Sequence, residues 1–197
     1  IKEYKLPYFE YIGQFSGTYL LFQNEEGLFL IDQHAAQERI NYEYYYNVMS
    51  NPNKESIPLL VPIDIELKKE EFLTLKNNIY QLENVGFVLE ESGYNSFFIR
   101  EIPTWIKLEN TDTVIEKIIY YLLERNVFDI ALLRDSVAKQ IACKASIKAN
   151  HYVSKEEVNK LIEDLNKCKN PFNCPHGRPV FVKFTHYEIE KLFKRVV

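Results

Sequence analysis

The segment "TYLLFQNEEGLFLIDQHA", residues 18 to 35, constrains the fold more than any other stretch of the chain. The first 31 residues read as strands, and within them the arm "FSGTYLLFQ", residues 15 to 23, then an Asn-Glu-Glu-Gly turn and the arm "LFLI" predict a β-hairpin. The second arm, Leu28 to Ile31, is apolar on both faces, which suits a central position in a sheet. Asp32 falls where this strand ends, and "QHAAQERINYEYYYNVM" holds good helix formers with no proline or glycine. Asp32 is therefore expected to cap a helix that stops at "SNPN". A buried strand thus hands its last residue directly to a helix N-terminus.

Beyond that helix, "ESIPLLVPIDIEL" carries two prolines and extended character, a shift in composition that reads as an internal boundary. A helix over Lys68 to Asn84, strands over Phe87 to Glu91 and Ser96 to Glu101 around "SGYN", and a helix over Asp112 to Arg125 then form a compact α/β unit. Further on, the pattern predicts a helix from Ile130 to Asn150 and another opened by a capping box at Ser154 and Glu157. The chain closes with a strand in "GRPVFVKF" and a helix in "THYEIEKLFKR" with a second capping box at Thr185 and Glu188. The expected architecture is mixed α+β. Residues 1–50 and 129–197 make one discontinuous domain, and residues 51–128 are a smaller α/β subdomain inserted into it.

A chain of 197 residues with 46% apolar content buries a real core, as one large domain or two small ones. No run of about 18 apolar residues offers a membrane span. The start, "IKEYKLPYFEYIG", lacks an initiator methionine and the layout of a signal peptide, so the chain is expected to be a fragment of a longer cytosolic protein. In that setting Cys143, Cys168 and Cys174 are free thiols or metal ligands ahead of disulfide partners. The net charge of −4 argues against tight phosphate-driven binding. Contact with DNA, if made, is expected to be weak.

His34 and Glu38 are four residues apart, so they project from one helix face, with Asp32 beside them at the first turn. An imidazole and two carboxylates there suit zinc, manganese or a similar ion. The plainer alternative makes Asp32 only a cap, His34 a first-turn residue and Glu38 a solvated charge. Glu43, five residues beyond Glu38, is turned away and reads as a supporting residue or a partner of Arg39. In "NPFNCPHGRPVFV", Cys174 and His176 flank a proline at a spacing that lets both grip one ion. Gly177 permits a tight turn and Arg178 supplies a planar donor for phosphate or carboxylate. A buried cysteine and a surface histidine remain the alternative. Cys143, within a helix, reads alone as core, Cys168 as structural, and His151 and His186 as helix-boundary residues.

Together these motifs resemble the C-terminal endonuclease domain of the MutL mismatch-repair family. "DQHAAQERINYE" is similar to its DQHA-x-x-E-x-x-x-x-E motif, "ACK" to its ACR motif, "CPHGRP" to its CPHGRP motif and "FKR" to its FxR motif, in the family's order. The resemblance implies a metal-dependent nicking endonuclease that homodimerises through the domain built from both chain ends, the inserted subdomain being regulatory. It makes Asp32, His34 and Glu38 catalytic. The metal-site candidates are Asp32, His34, Glu38, Cys143, Cys174 and His176, with Glu43, Lys144, Arg178 and Arg195 in support. Zn²⁺ is the implied structural or regulatory ion, and Mn²⁺ or Mg²⁺ the catalytic one. Lys144 departs from the family's arginine, keeping charge but losing bidentate contact.

"IPLLVP" resembles the motif by which related bacterial proteins bind the β sliding clamp, with Ile57 in place of glutamine and Leu59, Leu60 and Pro62 retained. The same residues also read as a proline-bounded edge strand. Other implied partners are double-stranded DNA, an N-terminal ATPase region and further mismatch-repair proteins, in the cytoplasm at the nucleoid. Aromatic residues in "PYFEYIGQF" are candidates for the dimer surface or for internal core. Two competing readings are a non-catalytic dimerisation and clamp-docking module with a structural zinc, and a zinc hydrolase for a small substrate.

Overall fold

The computed structural model describes residues 5–107, 111–126, 130–144 and 152–195. In chain order the first elements are β1 (Glu10–Phe15), β2 (Tyr19–Asn24), β3 (Gly27–Asp32), α1 (Gln33–Ser50) and β4 (Ser56–Glu66). They are followed by α2 (Lys69–Asn77), α3 (Ile79–Glu83), β5 (Val88–Gly93), β6 (Ser96–Pro103), α4 (Thr111–Arg125) and α5 (Ile130–Lys144). Last come α6 (Lys155–Lys167), β7 (Phe181–Thr185) and α7 (His186–Leu192). The fold is mixed α+β. It divides into two compact units, Ile1–Glu43 with Ala142–Val197, and Tyr44–Ile141. Both divisions fall inside helices, α1 and α5, where an unbroken helical pattern leaves no boundary signal in the sequence.

The first unit is built on an antiparallel sheet in the order β1-β2-β3-β7, with β3 in its interior as the two-faced apolar arm requires. The hairpin turns where the Asn24 side chain accepts the Glu26 N–H at 2.8 Å, and Gly27 continues at φ 137°. A methyl group on Gly27 would sit 2.2 Å from the Phe184 carbonyl oxygen, so glycine is what lets β7 close against β3. On one sheet face Leu20, Phe22, Phe29 and Ile31 pack with Ala35 and Ala36 of α1 and Val158, Leu161 and Leu165 of α6. Phe9 and Tyr11 join that core, while Phe15, Tyr19, Val182 and Phe184 are exposed. The capping boxes at Ser154 and Thr185 form as the sequence predicts, each side chain accepting the N–H three residues on at 3.2 Å.

The second unit carries a sheet in the order β4-β6-β5, covered by Phe72, Leu75, Ile115 and Ile119 among its buried residues. The helix expected over Lys68 to Asn84 is two helices instead. Asn78 breaks it at φ −119°, its side-chain amide donating back to the Thr74 carbonyl at 2.9 Å, a local bond that competes with the helical ladder. In β4 the pairing with β6 jumps from Pro58 to Ile63, so residues 59–62 bulge outward and Leu60 is fully exposed. The helix expected from Ile130 to Asn150 is described as far as Lys144; the rest of that expectation, and His151, lie outside the described residues.

Candidate metal centre

Asp32 ends β3, tied to the neighbouring segment by its own N–H to the Val180 carbonyl at 2.9 Å. Its Oδ1 accepts the N–H groups of His34 at 2.9 Å and Ala35 at 3.0 Å, the N-cap expected from the sequence. The strand therefore fixes where α1 begins, and with it the direction in which His34 and Glu38 point. They share a face, with His34 Nε2 3.2 Å from Glu38 Oε1. The Glu38 side chain is 1% exposed.

Opposite α1, the loop after α6 folds back through a bridge between Asn173 and Pro179, and Cys174 N–H donates to the Arg178 carbonyl at 2.8 Å. Gly177 turns the chain at φ 86° with open space around it. This presents the Arg178 guanidinium to Glu38 Oε2 at 2.8 Å. The Cys174 side chain beside the same guanidinium, first, and Glu38, second, raise the Arg178 pKa and keep it charged.

Three ligand atoms, one each from Glu38, Cys143 and His176, lie within 4.8 Å of one another. Glu38 is buried, whereas Cys143 and His176 are exposed, so the group opens to solvent on one side. Glu38 Oε2 is held by Arg178, while the buried Oε1 accepts no hydrogen bond among the described residues and lies 3.2 Å from His34 Nε2. A buried carboxylate oxygen without a donor is costly unless a cation satisfies it. A thiol, an imidazole and a carboxylate oxygen of Glu38 form a donor set that fits zinc, and the oxygen side also accepts a harder ion.

The other candidates are distributed around this group. His34 reaches it through Glu38. Cys174 lies outside it, buried in the core beside Arg178. Asp32 is engaged in capping, Lys144 is exposed next to Cys143, and Arg195 is exposed with its guanidinium 5.9 Å from the Phe193 ring centroid. Glu43 holds the loop: Oε2 accepts the Lys169 N–H at 2.6 Å and Oε1 that of Asn170 at 3.0 Å. Cys168, beside it, is inert, its thiol pushed up to about 12 by burial first and by the Glu43 charge second.

Arg39 is the residue that sequence reasoning passed over, seen only as a partner for Glu43. Buried at 9% exposure, it donates from Nε to the Asn173 carbonyl at 2.5 Å and lies 3.6 Å from Glu43. Its position one residue after Glu38 and four before Glu43 was the available signal.

Comparison with known proteins adds two findings. A family model described as "MutL C terminal dimerisation domain" matches residues 12–153. Curated proteins named "DNA mismatch repair protein MutL" from Staphylococcus aureus strains Newman, JH1 and Mu3 / ATCC 700698 are each 42% identical over 193 residues, 98% of this chain. The chain spans 29% of the length of those relatives.

Proposed function

The chain belongs to the family of MutL C-terminal dimerisation domains, and from that premise we propose that it is the metal-dependent, DNA-nicking part of a homodimeric mismatch-repair protein. One observation carries the reading: Glu38, Cys143 and His176 bring ligand atoms within 4.8 Å of one another, and the buried Oε1 of Glu38 accepts no hydrogen bond among the described residues. Zn²⁺ would take the thiol and imidazole side, and Mn²⁺ or Mg²⁺ the carboxylates of Glu38 and Asp32. Such an ion, when bound, offsets phosphodiester charge and acidifies water. The protein's own groups do the rest. Arg178 holds Glu38 in place, Glu43 and Arg39 anchor the loop that bears Cys174 and His176, and His34, 3.2 Å from Glu38, would accept a proton from attacking water. The product is a nick, as water oxygen joins phosphorus and one P–O bond to the sugar breaks.

The outward bulge of β4 supports docking to the β sliding clamp through Ile57, Leu59, Leu60 and Pro62, because it offers Leu60 to solvent on an edge strand. Dimerisation fits the outer face of the first sheet, where Phe15, Tyr19, Val182 and Phe184 are exposed. The N-terminal ATPase region, the other repair proteins and DNA at the nucleoid complete the set of proposed partners. A second reading has its own support: Asp32 Oδ1 is occupied by capping, and thiol and imidazole favour zinc, as in a docking module whose zinc is structural.

Nicking of supercoiled plasmid with Mn²⁺ separates the two, comparing this chain with Asp32→Asn in the presence and absence of the clamp and the N-terminal region. Asparagine keeps the helix cap, so a variant that folds but no longer nicks isolates the carboxylate's charge. Zinc binding and dimerisation by both proteins with nicking by neither establishes the module.

A further inference from the structure

We propose that the open edge of β4, with the groove beside it, binds a β-strand of a partner protein in which apolar and basic residues alternate. Among the described residues β4 pairs only with β6, so its other edge presents a row of backbone donors and acceptors available to an added strand. From Ile63 to Glu66 it reads apolar, acidic, apolar, acidic. Ile63 and Ile65 stand opposite the buried Ile99 and Phe97 and so lie on the packed face, which leaves Asp64 and Glu66 on the solvent face.

On the packed side a groove of about 460 Å³ runs between this edge and α4, with Ile115, Ile119 and Leu123 along it. Its lining also includes Asp64, Glu66, Glu71, Asp112 and Glu116, the last 3.5 Å from Lys117 Nζ, and no lysine or arginine. A strand added to β4 would gain backbone hydrogen bonds along its length. Its inward apolar residues would cover the half-buried Ile63, Ile65 and Leu123, and its outward basic residues would stand beside Glu66 and beside Asp64, whose Oδ1 accepts the Ser92 hydroxyl at 3.2 Å, as cross-strand pairs. Charge selects the occupant. An acidic strand meets like charge at both positions, and so does the β4 edge of a second copy, which repeats the same two carboxylates.

The test titrates this chain into a fluorescein-labelled octapeptide, Arg-Val-Lys-Ile-Arg-Val-Lys-Ile, followed by anisotropy, with hydrogen exchange read at residues 63–66. Saturable binding and slowed exchange at those amides are expected. The same peptide methylated at every second backbone nitrogen, and one with glutamate in place of its basic residues, should bind at least about tenfold more weakly. Asp64→Lys with Glu66→Lys, both at exposed positions, should weaken binding about tenfold, and the milder Asp64→Asn with Glu66→Gln about threefold. Failure of the parent peptide to bind overturns the proposal. So does equal binding of the methylated peptide or of both variants, which would reduce the attraction to general surface charge. Protection of residues 63–66 that grows with the chain's own concentration, without peptide, gives the edge to a second copy and overturns it as well.

Discussion

Glu43 and Arg39 show how single residues on α1 control a loop more than 120 residues away in the chain. Glu43 satisfies two consecutive backbone N–H groups with charge-assisted bonds, and Arg39 ties down the carbonyl just before Cys174. Glu43→Ala is expected to lower zinc affinity about 10–100-fold, measured by competition with a chelator. The control is Glu10→Ala on β1, which should leave the affinity unchanged. The cysteines separate by environment. At pH 8 a thiol with a pKa of about 12 is about one part in ten thousand thiolate, so Cys168 should be the last to react with iodoacetamide. Exposed Cys143 should react first, and added zinc should protect it, both read by mass spectrometry. Local sequence pattern made Asp32, His34 and Glu38 legible because a cap and an i,i+4 pair depend only on helix geometry. It could not say that Cys174 points to Arg178 while Cys143 joins Glu38 and His176. Those choices follow from where the loop after α6 and the end of α5 settle.

Among the elements, the hairpin and its junction with β7 are the most exacting. Gly27 has a positive φ and the Phe184 carbonyl oxygen against the space a side chain would fill, so Gly27→Ala should destabilise the protein by about 2–4 kcal/mol in urea denaturation. Gly177, also at positive φ but in open space, carries only the backbone strain. Its substitution should cost less stability than that of Gly27. At the start of α7, hydrogen bonds from Thr185 lower the Glu188 pKa. A depressed carboxylate contributes its stabilisation above the ordinary value of 4.5 and loses it as pH falls through the lower folded value. The first turn of α7 should therefore exchange its amides relatively faster on acidification below that range, once the intrinsic pH dependence of exchange is corrected. Element type was readable from periodicity nearly throughout. The exceptions were the turn at Ser16–Thr18, where Ser16 and Gly17 at positive φ split the expected strand over residues 15 to 23 into β1 and β2, the break at Asn78, where a side chain outcompetes the ladder, and the outward bulge at residues 59–62, which the partner strand's register imposes.

For the whole molecule, the acidic balance of 28 carboxylates against 24 basic residues opposes tight binding to DNA. Under the proposed function, that charge leaves delivery to DNA to another component of the repair machinery. The exposed apolar face of the first sheet makes a direct prediction. Phe184→Glu should weaken self-association about 30-fold or more in sedimentation equilibrium, since charge at the centre of an apolar interface removes a hot spot. Of the aromatic stretch "PYFEYIGQF", Phe9 and Tyr11 went to the core and Phe15 to the surface, a division that strand pairing makes and composition does not. The sequence by itself determined the strands, helices, caps and turns, because these arise from interactions within a few residues. It also determined which side chains are capable of ligation. Tertiary structure alone decided which of them meet. Arg178 reaches Glu38 across 140 residues only because β7 pairs with β3 and the core holds α1 and α6 against that sheet. The geometry of such a site is set by packing between distant segments, which no local pattern encodes.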